Sequence, residues 1–313
     1  MRGFGYDSCD LTGQLMNYAQ LTPGERFSPT RAFGYYSQRL VTQPSLRRAI
    51  VRTLAGFLRL SGRDTLVIKH HQKQQLNALN ENGFVHLGQV LSAGQCEEIR
   101  VHMQDKTLTV RANRHRHFTL ASIPHDVSMA DYQLEDIVNC PHILSLANSP
   151  TLLALAANYI GCLPTLSALS LRWSMPSDRA SNNLQGFHRD ADDWRYLKVL
   201  VYLTDVGLGE GPHIYVLKTH KMQGSVKLRA YSDEFVGRQF GSERALIVTG
   251  QAGTGFAVDT SGIHKGVVPN ETPRLLLQIQ YSLLPAYFYE YAPLPYHGPL
   301  KLNRHVNRLI VRN

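Results

Sequence analysis

The chain has 313 residues, 43% hydrophobic and 18% charged, which is enough apolar material for one large domain or two modest ones. Its four cysteines, Cys9, Cys96, Cys140 and Cys162, form no CxxC pair and no regular spacing, which argues against a disulfide frame or a zinc knot and for reduced thiols in a cytoplasmic protein. The net charge of +9 points to an acidic partner: an anionic small molecule, an anionic membrane or nucleic acid.

Taken in chain order, Met1 to Tyr6 lack the apolar stretch of a secretory signal. No later run approaches the ~18 apolar residues of a membrane span. Residues 1–42 mix Gly, Pro and Tyr and read as an irregular extension. Pro44-Ser45 then offers a helix start, and Ile50, Leu54, Phe57 and Leu58 recur at helical spacing with arginines between them. Such a basic amphipathic helix can lie on a membrane, but packing on its own protein is the favoured expectation. Residues 1–70 are therefore set apart as an N-terminal extension. A helix is predicted over 70–82, ended by Asn82-Gly83, then a short strand at Phe84–Leu87 and a helix capped by Ser92. Residues 111–117, rich in Arg and His, read as a solvated basic loop. Binding an anionic ligand ranks second there, and nucleic acid last, since no nucleic-acid module is visible. Pro141 to Tyr159 carries one more helical pattern.

The second half changes character. Leu166–Trp173, Lys198–Leu203, Ala245–Thr249, Thr254–Val258 and Arg274–Leu284 are short segments rich in Val, Ile, Leu and Tyr, separated by turn residues. That pattern predicts an α+β protein whose core is an antiparallel jelly-roll supported by N-terminal helices. The proline-rich stretch after 285 and the basic end are expected to pack back on this core or to trail from it.

Within the β-rich half, His188 and Asp190 sit two apart, so on an extended strand both side chains point to the same side. His264 follows a predicted strand and can supply a third ligand. Two imidazoles and a carboxylate on one face leave three positions open, the donor set of non-haem Fe(II) oxygenases. Arg274 opens an apolar strand and can hold a distal carboxylate through two hydrogen bonds. Each element alone is weak; their order on a β-rich segment is the signal.

These residues carry a resemblance. Gly186-Phe187-His188-Arg189-Asp190, Tyr202-Leu203-Thr204-Asp205, Gly209-Glu210-Gly211-Pro212-His213, Lys218-Thr219-His220-Lys221 and His264-Lys265-Gly266 with Asn270 and Arg274 resemble the phytanoyl-CoA dioxygenase family of Fe(II)- and 2-oxoglutarate-dependent oxygenases. Asn82-Gly83-Phe84-Val85 resembles its usual opening, so the likeness spans roughly residues 72–284 and residues 71–313 are expected to form the oxygenase domain. The resemblance implies a double-stranded β-helix of cupin type, with His188, Asp190 and His264 as iron ligands and catalytic centre and Arg274 on the 2-oxoglutarate C5 carboxylate. It implies O₂ as oxidant, release of succinate and CO₂, and oxidation of a substrate C–H bond. Related halogenating enzymes lack the carboxylate, so Asp190 favours hydroxylation.

Lys198 and Tyr202 alternate on one strand and are further candidates for 2-oxoglutarate contact; Gln185 and Arg172 are candidates for co-substrate or substrate contact. Asp192, Asp193 and Trp194 read equally as a substrate wall or an exposed acidic turn. His213 fits a tight turn better than a ligand, though it can line the mouth. The partner expected is an anionic small molecule. Two other readings remain at this stage: a catalytically silent protein of the same fold that binds metal and a 2-oxo acid, and a zinc hydrolase, which has no use for Arg274.

Overall fold

The structure is a computed structural model that describes residues 15–16, 20–21, 23–24, 26–110, 113–176, 186–222 and 230–312. In chain order the first part comprises β1 (Leu15–Met16), α1 (Pro29–Leu40), α2 (Pro44–Leu60), α3 (His70–Asn82), β2 (Phe84–Gln89), α4 (Ala93–Met103), β3 (Leu108–Val110), β4 (Asn113–Phe118), β5 (Met129–Tyr132), α5 (Leu134–Asn139), α6 (Ile143–Ala147) and α7 (Pro150–Ile160). The second part comprises β6 (Thr165–Ser174), β7 (Tyr196–Tyr202), β8 (His213–Val216), α8 (Asp233–Phe240), β9 (Ala245–Val248), β10 (Thr254–Val258), β11 (His264–Gly266) and β12 (Arg274–Ser282). The short β13 (Tyr289–Glu290), β14 (Leu294–Pro295), α9 (Arg304–Asn307) and β15 (Val311–Arg312) complete it.

Local chemistry accounts for the helix limits. Pro44 starts α2 where a missing N–H costs nothing. Val51 and Ala55, one turn apart, are buried in the main core, while Arg48, Arg52 and Arg59 stay exposed. Gly83 ends α3 at φ 77°, and any Cβ there would collide with the Tyr215 hydroxyl and the His220 ring. The Ser92 hydroxyl accepts from Gln95 N at 3.2 Å and the Gln95 side chain accepts from Ser92 N at 2.9 Å, closing the start of α4. The helical pattern over 141–159 is split, because Pro150 cannot continue α6 and Ser149 instead caps α7.

Two expectations need correcting. Residues 29–40 form α1 and are not irregular; Arg31 donates to Tyr287 O at 2.9 Å, and Ala32 and Gln38 are buried, so tertiary contacts hold a helix its composition does not advertise. Residues 113–118 form β4, not a loop: the strand pairs with β3, as Leu108 with Phe118 and Thr109 with His117. It lies at a sheet edge, where charged side chains are tolerated and discourage further pairing.

The main sheet has eight antiparallel strands in the order β2-β10-β7-β12-β6-β5-β3-β4, and a second antiparallel sheet has the order β11-β8-β9. Alternation along the central strands gives the large sheet two unlike faces. Leu169, Leu171, Trp173, Val199, Val201, Leu275, Leu277 and Ile279 join the core that α2–α7 and α9 cover. On the other side Leu200, Tyr202, Phe256 and Val258 pack with Phe84, Tyr215 and Val248, partly from the small sheet. Beyond these and Leu276 the inner face carries polar pairs: Arg274 stands opposite Ser174, Gln278 opposite Ser170 and Gln280 opposite Lys198. The C-terminal stretch packs back, with Leu302, Val306, Ile310 and Val311 buried in the main core. Cys96, Cys140 and Cys162 are buried free thiols. No helix among the described residues is long and apolar enough to cross a membrane.

Candidate metal centre

Backbone pairing brings the metal-ligating side chains together. His188 forms an isolated bridge with His264, its N–H donating to His264 O at 2.9 Å and its carbonyl accepting from His264 N at 3.0 Å. Two residues on, Asp190 N donates to Thr260 O at 2.9 Å. The segment carrying His188 and Asp190 is thus zipped to the segment that leads into β11, and β11 is held in turn by β8 through His264–Tyr215 pairing.

The three side chains converge. His188 Nε2 lies 3.7 Å from Asp190 Oδ1 and His264 Nε2 lies 3.5 Å from Asp190 Oδ2. The imidazole centroids are 4.3 Å apart, and the three ligand atoms all fall within 4.8 Å of one another, close enough to hold one metal ion. His188 Nδ1 sits 2.9 Å from Gly186 O, and His264 Nδ1 sits 2.9 Å from Gly262 O. Each carbonyl fixes the proton on Nδ1 and turns the Nε2 lone pair inward, the second-sphere arrangement usual for metal-binding histidine. Burial, then the neighbouring His188, pushes His264 down to about 3, so its ring is neutral at physiological pH. Two inward lone pairs and a carboxylate repel one another unless a cation sits among them, so the donor set fits a divalent metal ion.

Asp190 is fully ionised. Burial opposes its charge, but Lys198 and the two imidazoles hold the carboxyl well below the usual carboxylate range. Lys198, on β7, is 2% exposed and lines the cavity, with its ammonium 2.6 Å from Asp190 Oδ2 and 3.1 Å from Asp192 Oδ2. Asp192 and Asp193 are likewise buried, so of the two readings of this stretch the exposed acidic turn does not hold. Asp193 accepts from Gln38 Nε2 at 2.9 Å, Trp194 N at 2.7 Å and Leu284 N at 2.7 Å. Burial nevertheless pushes its carboxyl up to about 8.

Arg274, at the start of β12, is buried in the same cavity; its Nη2 donates to Ser174 Oγ at 3.2 Å and its Nε has no partner among the described residues. It packs against Gly266, where a Cβ would come 3.3 Å from Nη2. Arg172 lines the cavity too, paired at 2.6 Å with Asp131. Tyr202 departs from expectation. Its hydroxyl donates to Val248 O at 2.7 Å and accepts from His213 N at 2.9 Å, so its only proton is already engaged and cannot serve a carboxylate. Gln185 lies outside the described residues.

Two further residues line the cavity: Gln278, which the sequence reading passes over, and His213, whose place at the mouth it allows. Gln278, two alternations along β12 from Arg274, lines the cavity with its Nε2 unpartnered among the described residues; Gln278 and Gln280, on the same alternation as Arg274 in an otherwise apolar strand, were the available signal. His213, on β8 and not in a tight turn, stacks at 5.5 Å on His264, and its buried Nε2 is unpartnered among the described residues. Burial, then His264 and Arg274, holds its pKa well below the histidine value, so it stands neutral against the metal set.

No family model matches the chain, and no curated protein matches it. Among solved structures, the non-heme alpha ketoglutarate dependent epimerase SnoN from nogalamycin biosynthesis aligns at 19% identity over 67% of this chain and 82% of its own, with a TM-score of 0.48. EctD from S. alaskensis, solved with 2-oxoglutarate and 5-hydroxyectoine, aligns at 17% identity over 68% and 76%, TM-score 0.48. HygX from Streptomyces hygroscopicus, solved with nickel and 2-oxoglutarate, aligns at 19% identity over 73% and 91%, TM-score 0.46. With TM-scores below 0.5, function rests on the chemistry of the site itself.

Proposed function

We propose that this protein is a non-haem Fe(II)- and 2-oxoglutarate-dependent dioxygenase of the phytanoyl-CoA dioxygenase-like kind, and that it hydroxylates a C–H bond of a small anionic molecule. In this reading the two sheets are the walls of a double-stranded β-helix. The observation that carries it is the convergence of two bare Nε2 atoms and one carboxylate in a cavity that also buries Arg274. A carboxylate-binding cation beside a two-histidine, one-carboxylate centre suits an oxygenase that chelates a 2-oxo acid and gives a zinc hydrolase nothing to do.

His188, Asp190 and His264 would hold the iron, each histidine kept in register by its Nδ1–carbonyl bond. Arg274 would take the distal carboxylate of 2-oxoglutarate, its buried guanidinium being held in place by Ser174 with Nε left free among the described residues. Lys198 would steady Asp190 by holding Oδ2. When bound, iron and 2-oxoglutarate supply the oxidising chemistry, in which O₂ and the keto acid become succinate, CO₂ and one oxygen atom delivered to the substrate. The protein's share is to bind, orient and exclude water.

The test is succinate formation by the chain with Fe(II), 2-oxoglutarate and O₂, across a panel of small anionic molecules. Substrate-dependent succinate that disappears in His264→Ala is the expected result. Metal retention with no succinate under any condition would leave a binding protein in place of an enzyme, and turnover without O₂ would point to hydrolysis.

A further inference from the structure

Asp190 also lines a second and larger cavity, about 410 Å³ against about 70 Å³ for the metal cavity. That volume falls in the range of roughly 300–1,000 Å³ typical of small-molecule sites. Its walls come from α2, from Asn80 on α3, from the stretch between Asp190 and Tyr196, and from the turns at His220–Lys221 and Asp259–Ser261.

The charges in this cleft are unevenly satisfied. Its three acids are occupied: Asp190 by Lys198, Asp193 by Gln38 and two backbone N–H groups, and Asp259 by Ser261 N at 3.0 Å, Ser261 Oγ at 2.6 Å and the Tyr159 hydroxyl. Its four cations meet no carboxylate within ion-pair distance among the described residues. Arg47 spends its guanidinium on backbone carbonyls, among them Asp193 O at 3.1 Å and Trp194 O at 3.2 Å. Arg195 donates to Tyr159 O at 2.9 Å and to Asn80 Oδ1 at 3.2 Å. Arg48 and Lys221 are exposed on the cleft wall. Carbonyl and amide partners orient a guanidinium without cancelling its charge, so the cleft presents a positive field. Trp194, with Arg47 stacked 5.0 Å from its ring, adds a flat apolar wall beside Val51 and Pro44.

We infer that this cleft is a ligand site distinct from the metal cavity, for a small organic oxyanion whose phosphate or carboxylate meets Arg48 and Lys221 and whose body lies along Trp194. Arginine and lysine together suit either oxyanion. Arg47 and Arg48 lie in the segment before residue 70, so the site depends on the N-terminal helices as well as on the sheets. Nothing in the inference requires iron.

The chain has two tryptophans, and Trp194 is in the cleft, so binding is readable as a fluorescence change. The full-length chain, without added metal, is titrated at low salt with inorganic pyrophosphate and separately with tricarballylate. Saturable binding of at least one is expected, weakened about tenfold or more by the double substitution Arg48→Glu with Lys221→Glu, since charge-assisted contacts to an oxyanion carry most of the affinity. Trp194→Phe should remove the signal, and Arg274→Ala should leave the affinity unchanged. Which probe binds tells a phosphate site from a carboxylate site. Failure of both probes to saturate, indifference to the double charge reversal, or loss of binding in Arg274→Ala would each overturn the inference. Because both reversed residues are exposed, the double variant should fold; unchanged melting of the protein checks that it does.

Discussion

The two faces of the large sheet are made by the same strands yet serve opposite ends. Along β12, Leu275, Leu277 and Ile279 enter the helical core, while Arg274, Gln278 and Gln280 alternate with them on the inner face. On the outer face the side chains are apolar and close-packed. On the inner face polar groups are buried without partners among the described residues: Arg274 Nε, Gln278 Nε2 and both amide atoms of Gln280. Buried polar atoms left unpaired cost stability, so the inner face is a place where the fold gives up energy and the outer face is where it recovers it. Strand alternation lets one segment do both.

Substitutions on the two faces should therefore separate cleanly. The largest effect is expected inside: His264→Ala should reduce Fe(II) affinity more than about a hundredfold while barely moving the melting temperature, since outer-sphere changes alone cost up to that much; equilibrium metal titration checks it. Leu277→Ala, on the opposite face, should do the reverse and destabilise by about 2–5 kcal/mol with metal affinity retained. Denaturant unfolding reads the loss, and a change below 1 kcal/mol would mean that this face is not close-packed. Arg274→Ala should raise the 2-oxoglutarate requirement roughly ten- to a hundredfold and spare metal binding, in line with a lost charge-assisted hydrogen-bonded pair of about 1.5–3 kcal/mol; an unchanged requirement removes Arg274 from the co-substrate site.

The smallest effect concerns Asp193. Its folded-state value, about 8, lies above the carboxylate value of 3.8 expected when unfolded. The native state then holds a proton that the unfolded chain has released, so this group's contribution is fully present below pH 3.8 and is lost as pH rises through 8. The wild-type melting temperature should fall between pH 6 and about 9 more steeply than that of Asp193→Asn. Parallel curves would show that Asp193 is ionised throughout, as its three N–H donors would favour.

The metal set was legible because its signal is local and ordered: His188 and Asp190 are two apart, and His264 and Arg274 flank one turn. The strands β6, β7, β10 and β12 were legible from their apolar runs, and α2–α4 from periodicity and caps. What the sequence hid depends on long-range pairing. His213 comes to His264 only through the β8–β11 register. Alternation places Tyr202 on the same strand face as Lys198, but Val248, remote in sequence, captures its hydroxyl. Strands β3 to β5 are short and lie among helices, and their partners are fixed by β6. The segment at 29–40 becomes helical against Tyr287, far along the chain.

Gln38 and Arg47 reach from the N-terminal helices to Asp193 and Trp194, just beyond the carboxylate of the metal set. The helices thus work as a buckle on the stretch that follows Asp190, fastening it from outside the two sheets. Proteolytic clipping ahead of α3 would undo these contacts without removing His188, Asp190 or His264, so comparing the metal affinity of the clipped and whole chains measures how far the buckle steadies the centre.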